Sequence, residues 1–252
     1  MDGSSTLAPF IPAGATVVMT VYAHLPADHT RTIIGLLTAY FLYVEDLFEH
    51  DVARVQNFNS RFARGEPQND PALDGLAQLL RELPQHFPLI AANIIVMSFL
   101  NLFTGTLLEQ ATQGASLSQD STRYAVFVRA LSGVQDAYAF FVFPAQLPLE
   151  SYVQAIPDVG DYLTYSNDIL SFYKEELAQD SANHVSTLSA AQGQTKADVL
   201  AGLVDTCVSA HERAQRLLAP YPEALQAYLA AAIGSIGFHV VNKRYRLHEL
   251  DL

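Results

Sequence analysis

Apolar residues recur at helical spacing along most of the chain, between short clusters of Pro, Gly, Asn and Asp. Alternation typical of strands is almost absent. The pattern therefore predicts an all-α fold with helices at 29–49, 50–64, 71–82, 87–113, 120–142, 148–177, 195–219 and 221–240, and a short one at the C-terminus. Polar, loop-like stretches are expected at 65–71 and at 176–195.

Two segments, 87–103 and 225–241, are apolar almost all round. A helix of this kind is expected to be surrounded by other helices. The first run contains polar residues and falls short of the roughly 20 apolar residues that span a bilayer. We therefore expect a compact bundle around a central apolar cavity or core, without a membrane span.

Composition narrows the class further. Half of the 252 residues are apolar and 16% are charged, which excludes a disordered chain and fits one domain over residues 1–252. A net charge of −12 argues against a nucleic-acid surface. Cys207 is the single cysteine, so neither an intrachain disulfide nor a cysteine zinc site is expected. The N-terminal stretch lacks the basic region of a signal peptide, and we expect a cytoplasmic protein.

The stretch with most chemical information is NDILSFYKEE, residues 167–176. Steps of four residues drift only about 40° around a helix, so Asn167, Ser171 and Glu175 share one face. An amide, a hydroxyl and a carboxylate oxygen suit a hard cation such as Mg²⁺, with substrate phosphates completing its octahedron. Lys174 lies beside this face and could hold a phosphate oxygen. A capped surface helix with solvated charges is the alternative.

The NDxxSxxKE pattern of this stretch resembles the second metal motif of class I terpene synthases, most closely the fungal trichodiene synthase branch. The resemblance implies the helical bundle of class I terpenoid synthases. It also implies that Asn167, Ser171 and Glu175 chelate Mg²⁺ while Lys174 contacts the diphosphate of a prenyl substrate. About three Mg²⁺ ions would bind together with that diphosphate.

A second acidic cluster ends the helix at 29–49. Glu45, Asp46 and Glu49 are three and four residues apart and can converge on one side. The cluster resembles the aspartate-rich motif of the same family, with Glu45 and Asp46 matching its paired aspartates and Glu49 or Asp51 its later acid. Glu45 departs from the family, because an aspartate is expected there. Asp46 is then expected to carry more of the metal ligation.

Cationic partners for a diphosphate occur at two places. Arg129 lies in an apolar helix 38 residues before Asn167 and resembles the family's arginine diphosphate sensor, with Arg123 as the alternative. Arg244 and Tyr245 resemble the RY motif that binds diphosphate when the site closes. Charge complementarity at a helix C-terminus explains these cations as well.

The family resemblance implies an enzyme, a lyase that ionises a prenyl diphosphate. Trichodiene synthase likeness points to farnesyl diphosphate and a cyclic sesquiterpene, with geranyl and geranylgeranyl diphosphate as the other substrates. Aromatic faces would stabilise the carbocation, each by roughly 0.5–2 kcal/mol. About three such contacts are expected among Tyr40, Phe41, Phe99, Phe103, Tyr138, Phe140, Phe141 and Tyr165, and a helix break with backbone oxygens aimed at the cavity is expected at 133–143.

Other interpretations stay open. Only 44 residues precede Glu45, fewer than the family usually has, which favours a degenerate isoprenoid-binding protein or a truncated synthase. Prenyl chain elongation is a third option, although the paired DDxxD motifs of elongases are absent. The sequence leaves the oligomeric state open, and a homodimer is common in the family.

Overall fold

The predicted all-α class is confirmed. The computed structural model describes residues 6–26, 29–118, 120–180 and 183–250, and within them the regular elements are helices, without a strand. The α-helices are α1 (Ile11–Thr20), α2 (His29–His50), α3 (Val52–Val55), α4 (Phe58–Arg64), α5 (Pro71–Glu82), α6 (Leu89–Ala111), α7 (Thr122–Ser132), α8 (Gln135–Phe141), α9 (Ile156–Leu177), α10 (His184–Gln192), α11 (Lys196–Leu218) and α12 (Pro222–Val241). Short 3-10 turns lie at Ala8–Phe10, Leu83–Gln85, Leu149–Ser151, Val153–Ala155, Lys243–Tyr245 and Leu247–Glu249.

The start of α5 shows how local sequence sets a boundary. Asp70 accepts hydrogen bonds from the backbone N–H groups of Ala72 and Leu73, at 2.8 and 3.0 Å, and Pro71 occupies the first turn, where it removes no intrahelical bond. The same buried carboxylate accepts from the Tyr43 hydroxyl at 2.9 Å and pairs with Arg54. This N-cap therefore also ties α5 to α2 and α3.

The single helix predicted over 120–142 is divided in two, at the start of the stretch 133–143 where the family resemblance implies a break. Helix α7 ends at Ser132, and α8 begins at Gln135 after Gly133 and Val134. Val134 is fully buried and has φ of 51°, a left-handed conformation that a β-branched residue rarely adopts. The surrounding packing therefore holds strain at this corner.

Two helices were not predicted. Helix α1 lies before residue 29, where no helix was predicted; Pro12 stands in its first turn and Gly14 lies at its contact with α2. Helix α10 lies inside the expected loop at 176–195, so that part of the loop prediction is wrong. The Asn183 side chain caps it, accepting from the Ser186 N–H at 2.9 Å, and left-handed Gly193 ends it.

Helix α9 occupies the middle of the bundle, packed against α8, α11 and α12. A large apolar core joins α1, α2, α5, α6, α8 and α12, with Leu37, Leu76 and Phe99 fully buried. A second, smaller core that includes Val185 and Leu203 joins α7, α10 and α11 beside α9. Helix α9, which carries Asn167, Ser171 and Glu175, is thus held in place by packed helices.

The two most apolar helices are enclosed on one side only, so the expectation of complete enclosure is wrong. In α6, Phe99 is buried while Met97 is 61% exposed, and in α12 Ala231 is buried while Ile233 is 75% exposed. By length and composition both helices could cross a membrane, but 44% and 39% of their most apolar windows are buried inside the bundle. Each serves as a wall of the core.

Candidate active site at the mouth of the helical bundle

The motif residues on α9 lie as the four-residue spacing predicts. Ser171 is only 2% exposed, between half-buried Asn167 and Glu175. The Lys174 ammonium donates to Glu175 Oε1 at 2.9 Å, with both side chains about one-fifth exposed. An amide, a hydroxyl and a carboxylate thus follow one another along a partly enclosed face, with a cation at its end.

Asn167 is held by a histidine from α12. Its Nδ2 lies 3.0 Å from Nε2 of His239, and Nδ1 of His239 lies 2.7 Å from the carbonyl oxygen of Ser235. His239 is 3% exposed, and burial lowers its pKa from the ordinary value. The metal-motif helix and α12 are therefore joined by a buried polar contact.

Tyr245 is the centre of the arrangement. Its ring packs on His239, with centroids 4.4 Å apart, and the Lys174 ammonium lies 5.8 Å from its centroid. Burial raises the pKa of Tyr245 to about 12, while Arg244 and a hydrogen bond with Asn167 act to lower it. The charges of Glu45 and Glu175 act to raise the pKa of Tyr245, so groups from separate segments of the chain influence this hydroxyl.

Glu45 faces this group of residues from α2. The Glu45 side chain is exposed to solvent, but protein atoms also lie around it. This combination is expected of a side chain at a concave mouth. Desolvation raises the pKa of Glu45, and the charges of Arg244, Arg129 and Lys174 act in the opposite direction. Glu45 is the residue at which the first acidic motif differs from the family pattern. It is also the residue of that motif that lies near the second motif.

The other two acids of that motif lie differently. Asp46 is 3.5 Å from Nδ1 of the exposed His50, whose pKa is raised chiefly by a hydrogen bond to the Asp46 carbonyl oxygen. Glu49 is exposed and also lies near His50. The structure thus brings Glu45, but not Asp46 or Glu49, towards the cations. Among the described residues, no group of three His, Cys, Asp or Glu side chains forms a ready metal cluster.

Arg129 is anchored rather than free. Its Nε lies 3.0 Å from Oδ1 of Asp168 and its Nη2 lies 2.6 Å from the same oxygen. The Arg129 side chain is 21% exposed and that of Asp168 is 7% exposed. Arg123, the alternative sensor, is exposed near the start of α7. The structure therefore joins the predicted sensor Arg129 to the residue that follows Asn167.

A carboxylate on α6 that sequence reasoning did not single out completes the polar group. Glu109 accepts from the Ser132 hydroxyl at 2.7 Å, and desolvation raises its pKa. It also interacts with Arg129 and Glu45. A glutamate near the end of an apolar helix carries no pattern that could have marked it.

The candidate aromatic residues divide into three sets. Phe41 and Tyr138 form an edge-to-face pair with centroids 6.1 Å apart, and the Tyr138 hydroxyl donates to Thr38 Oγ1 at 3.2 Å. Both rings are partly accessible, and Glu45 and Tyr245 both act to raise the pKa of Tyr138, so this ring lies near the polar group. Four of the others are buried in the core: Phe99, Phe103, Phe140 and Phe141. Tyr40 and Tyr165 are partly buried, Tyr40 against Gly75 and Tyr165 stacked on His184.

Two surface concavities lie elsewhere on the bundle. One of about 170 Å³ is lined by residues such as Tyr152 and Leu218, and one of about 280 Å³ by residues such as Ile94 and Phe140. Neither contains a residue of the metal motifs. The chemistry of the residues at the mouth, rather than the size of a cavity, therefore identifies the candidate site.

Comparison with known proteins gives an independent result. The family model described as Trichodiene synthase (TRI5) matches residues 7–251. Alpha-cuprenene synthase COP6 of Coprinopsis cinerea is 34% identical over 249 residues, which are 99% of this chain and 77% of that protein. Monoterpene synthase 25 of Postia placenta is 31% identical over 97% of this chain and 74% of its own length.

A solved structure shares the fold. The linalool/nerolidol synthase from Streptomyces clavuligerus, crystallised in complex with 2-fluorogeranyl diphosphate, superimposes with a TM-score of 0.73. The match covers 94% of this chain and 98% of that one at 14% sequence identity. The bundle described above is therefore the fold of class I terpene synthases.

Proposed function

The chain belongs to the trichodiene synthase family, and on that premise we propose that it is a Mg²⁺-dependent sesquiterpene cyclase. It is a terpene synthase, a carbon–oxygen lyase that acts on a prenyl diphosphate. The proposed reaction ionises farnesyl diphosphate, closes the carbocation into a ring and releases diphosphate. A cytosolic setting belongs to the proposal, since Cys207 is a free, buried thiol. Homodimerisation stays a prediction.

One observation carries the proposal: the surroundings of the Tyr245 hydroxyl. Glu45 from the first motif, Asn167 and Glu175 from the second, and Arg244 from the C-terminal turn all act on it. These residues come from segments separated by about 120 and 70 positions. A core tyrosine without a function would not be expected to gather carboxylates, an amide and a cation from three segments.

The donor set fits Mg²⁺. Asn167 Oδ1, the Ser171 hydroxyl, Glu175 Oε2 and the Glu45 carboxylate are hard oxygen donors, and few protein ligands are needed when phosphate oxygens share the coordination. Asn167 contacts His239 through its amide nitrogen, which leaves Oδ1 for a metal ion. Glu175 contacts Lys174 through Oε1, which leaves Oε2. When bound, Mg²⁺ would neutralise charge that develops on the departing diphosphate.

The cations have a matching role. The charges of Lys174, Arg129 and Arg244 all act on Glu45, so an anionic diphosphate bound near this carboxylate would be attracted by three positive side chains. Lys174 would exchange its contact with Glu175 for a phosphate oxygen as the carboxylate turns to a metal ion. Arg129 is held in place by Asp168 and would keep part of its guanidinium for the substrate.

The apolar rings beneath the mouth suit the cation that ionisation creates. Phe41 and Tyr138 lie below Glu45 and would present aromatic faces to positive charge. The buried rings of Phe99 and Phe141 make the bundle interior dry, and a dry interior protects a carbocation from capture by water. No nucleophilic side chain is needed, because the released diphosphate can accept the final proton.

Geranyl diphosphate is the second substrate to test. One relative carries the name monoterpene synthase, and the solved neighbour was bound to a geranyl analogue. Farnesyl diphosphate ranks first because of the likeness to trichodiene synthase across residues 7–251.

A non-catalytic isoprenoid-binding protein is the rival function. Two observations favour it: Glu45 replaces the expected aspartate, and Asp46 is turned towards His50 instead of the cations. On this alternative the chain would bind a prenyl diphosphate without ionising it.

Matched variants of neighbouring glutamates test the proposal. Glu175 lies on the motif face, whereas exposed Glu176 pairs with Lys196 on the outside of α9. Diphosphate release from farnesyl diphosphate should fall at least a hundredfold in Glu175→Ala and in Asn167→Ala and stay near the parent rate in Glu176→Ala, with helical content unchanged in all three. Equal rates in Glu175→Ala and Glu176→Ala would refute the metal assignment.

A further inference from the structure

The buried histidine of α12 has contacts that define its hydrogen positions. Nδ1 of His239 lies 2.7 Å from the Ser235 carbonyl oxygen, which can only accept, so Nδ1 carries the proton. Nε2 faces the amide nitrogen Nδ2 of Asn167 at 3.0 Å, and an amide nitrogen can only donate. Nε2 is therefore the acceptor and carries no hydrogen.

This tautomer dictates the orientation of the Asn167 amide. An acceptor at Nε2 needs the donor Nδ2 in front of it at 3.0 Å, which excludes the flipped amide with Oδ1 in that place. With its nitrogen engaged on the side of α12, the amide directs Oδ1 away from His239.

We infer that His239 is a positioning residue: through the chain Ser235 carbonyl, His239 imidazole, Asn167 amide, it holds Asn167 Oδ1 towards the metal site. The inference rests on the proposed function, because it gives Asn167 the role of metal ligand. His239 itself touches neither substrate nor metal. Its ring lies under Tyr245, 4.4 Å between centroids, so the same residue supports the Arg244–Tyr245 turn.

A polar group that orients a metal ligand has a measurable effect, since loss of such a partner typically lowers metal affinity about 10–100-fold. Three variants separate orientation from packing. His239→Leu keeps much of the volume and removes the acceptor. His239→Gln retains an oxygen that can accept from Asn167, and His211→Leu removes a partly buried histidine on α11 that contacts Tyr228 at 2.8 Å instead of the metal motif.

The first readout needs no substrate turnover. Mn²⁺ binding in the presence of inorganic diphosphate, followed by electron paramagnetic resonance, should weaken at least tenfold in His239→Leu. It should stay within about threefold of the parent in His239→Gln and His211→Leu. Nitrogen-15 spectra of the histidine-labelled parent should show His239 protonated on Nδ1, and the Mg²⁺ concentration for half-maximal turnover should rise only in His239→Leu.

Parent-like Mn²⁺ affinity in a folded His239→Leu sample, or a proton on Nε2 in the parent, would overturn the inference. A His239→Gln variant as weak as His239→Leu would also overturn it, because packing rather than hydrogen bonding would then matter. If His239→Leu turns over substrate at the parent rate and needs no more Mg²⁺ than the parent, the inference is rejected and the cyclase proposal stands. If the parent binds Mn²⁺ tightly but does not turn over substrate, and His239→Leu binds Mn²⁺ more weakly, the cyclase proposal is rejected and the inference stands.

Discussion

Arg129 and Asp168 form a largely enclosed ion pair at the site. Three close contacts link the guanidinium to the carboxylate, and both side chains are mostly withdrawn from solvent. Burying two charges is costly unless their hydrogen bonds are complete, so removal of one partner leaves the other poorly satisfied. Asp168 therefore stabilises the position of the proposed diphosphate sensor.

Asp168→Asn should lower the free energy of unfolding by about 3 kcal/mol, because Arg129 keeps its charge and loses its anionic partner. Asp158→Asn provides the matched control, since its partner Arg213 is 46% exposed. That surface pair is expected to contribute less than about 1 kcal/mol. Urea unfolding followed by circular dichroism measures both, and equal losses would contradict the account.

Buried histidines predict how stability depends on pH. Desolvation lowers the pKa of His184, which is 9% exposed, below its ordinary value of 6.5. The unfolded chain therefore binds this proton at higher pH than the folded one, and stability present above pH 6.5 is lost as the pH falls through the folded pKa.

His184→Gln should flatten this loss. Between about pH 7.5 and about pH 5.5, the urea midpoint of the variant is expected to fall less than that of the parent. The exposed His50 has a raised pKa and acts with the opposite sign, so His50→Gln should make the loss slightly steeper. A parent-like pH profile in His184→Gln would show that folding leaves the pKa of this histidine unchanged.

At the residue scale, the sequence predicted the placement of side chains on one helix face where oxygen-bearing residues also recur at helical spacing. Asn167, Ser171 and Glu175 follow a four-residue period, and the structure sets them on one helix face. His239 was not predicted, because a lone histidine in an apolar helix is typical of a core residue. Its proposed role depends on a contact with Asn167, 72 positions earlier in the chain. Asp46 was expected to be a principal ligand, but its orientation depends on how α2 ends beside His50.

At the scale of elements, the corner between α7 and α8 has the strictest steric demands. A Cβ on Gly133 would lie 2.6 Å from Nη1 of Arg129 and 2.8 Å from the Arg129 carbonyl oxygen. Glycine at this position thus makes room for the side chain that pairs with Asp168. The break in the helix and the placement of the arginine are one structural feature.

Gly133→Ala should displace the Arg129 guanidinium, destabilise the fold by about 1–3 kcal/mol and slow diphosphate release. Gly202→Ala is the control, because a Cβ there meets nothing within 4 Å on the exposed side of α11. That change should stabilise the fold by about 0.5–1 kcal/mol. Thermal unfolding of the two variants tests the contrast, and a stabilising Gly133→Ala would show that the corner relaxes freely.

Helix boundaries were predictable where caps are local, as at Asp70 and Pro71. Helix α1 was missed because Pro12 and Gly14 indicate a break when tertiary contacts are ignored. In the fold, a Cβ on Gly14 would lie 2.2 Å from the Gly35 carbonyl oxygen, so the glycine permits close approach of α1 and α2. That use of glycine depends on a partner helix which local sequence does not specify.

At the scale of the whole molecule, the candidate site is made by packing distant segments together. Helix α2 supplies Glu45, α9 supplies the proposed metal ligands, α7 supplies Arg129, and the turn after α12 supplies Arg244 and Tyr245. Helical periodicity predicted the all-α class but not which helix ends meet. The family resemblance predicted which helix ends meet. Periodicity alone predicted that α6 and α12 are enclosed on all sides, but each has one exposed face.

The most direct test of the central claim is incubation of the purified chain with farnesyl diphosphate and Mg²⁺, with and without EDTA, and analysis of the organic extract by gas chromatography–mass spectrometry. We predict a cyclic sesquiterpene that forms with Mg²⁺ and disappears with EDTA. Geranyl and geranylgeranyl diphosphate are run in parallel to separate chain-length preference from lack of activity. Recovery of all three substrates unchanged from a well-folded sample would contradict the cyclase account and favour an isoprenoid-binding protein.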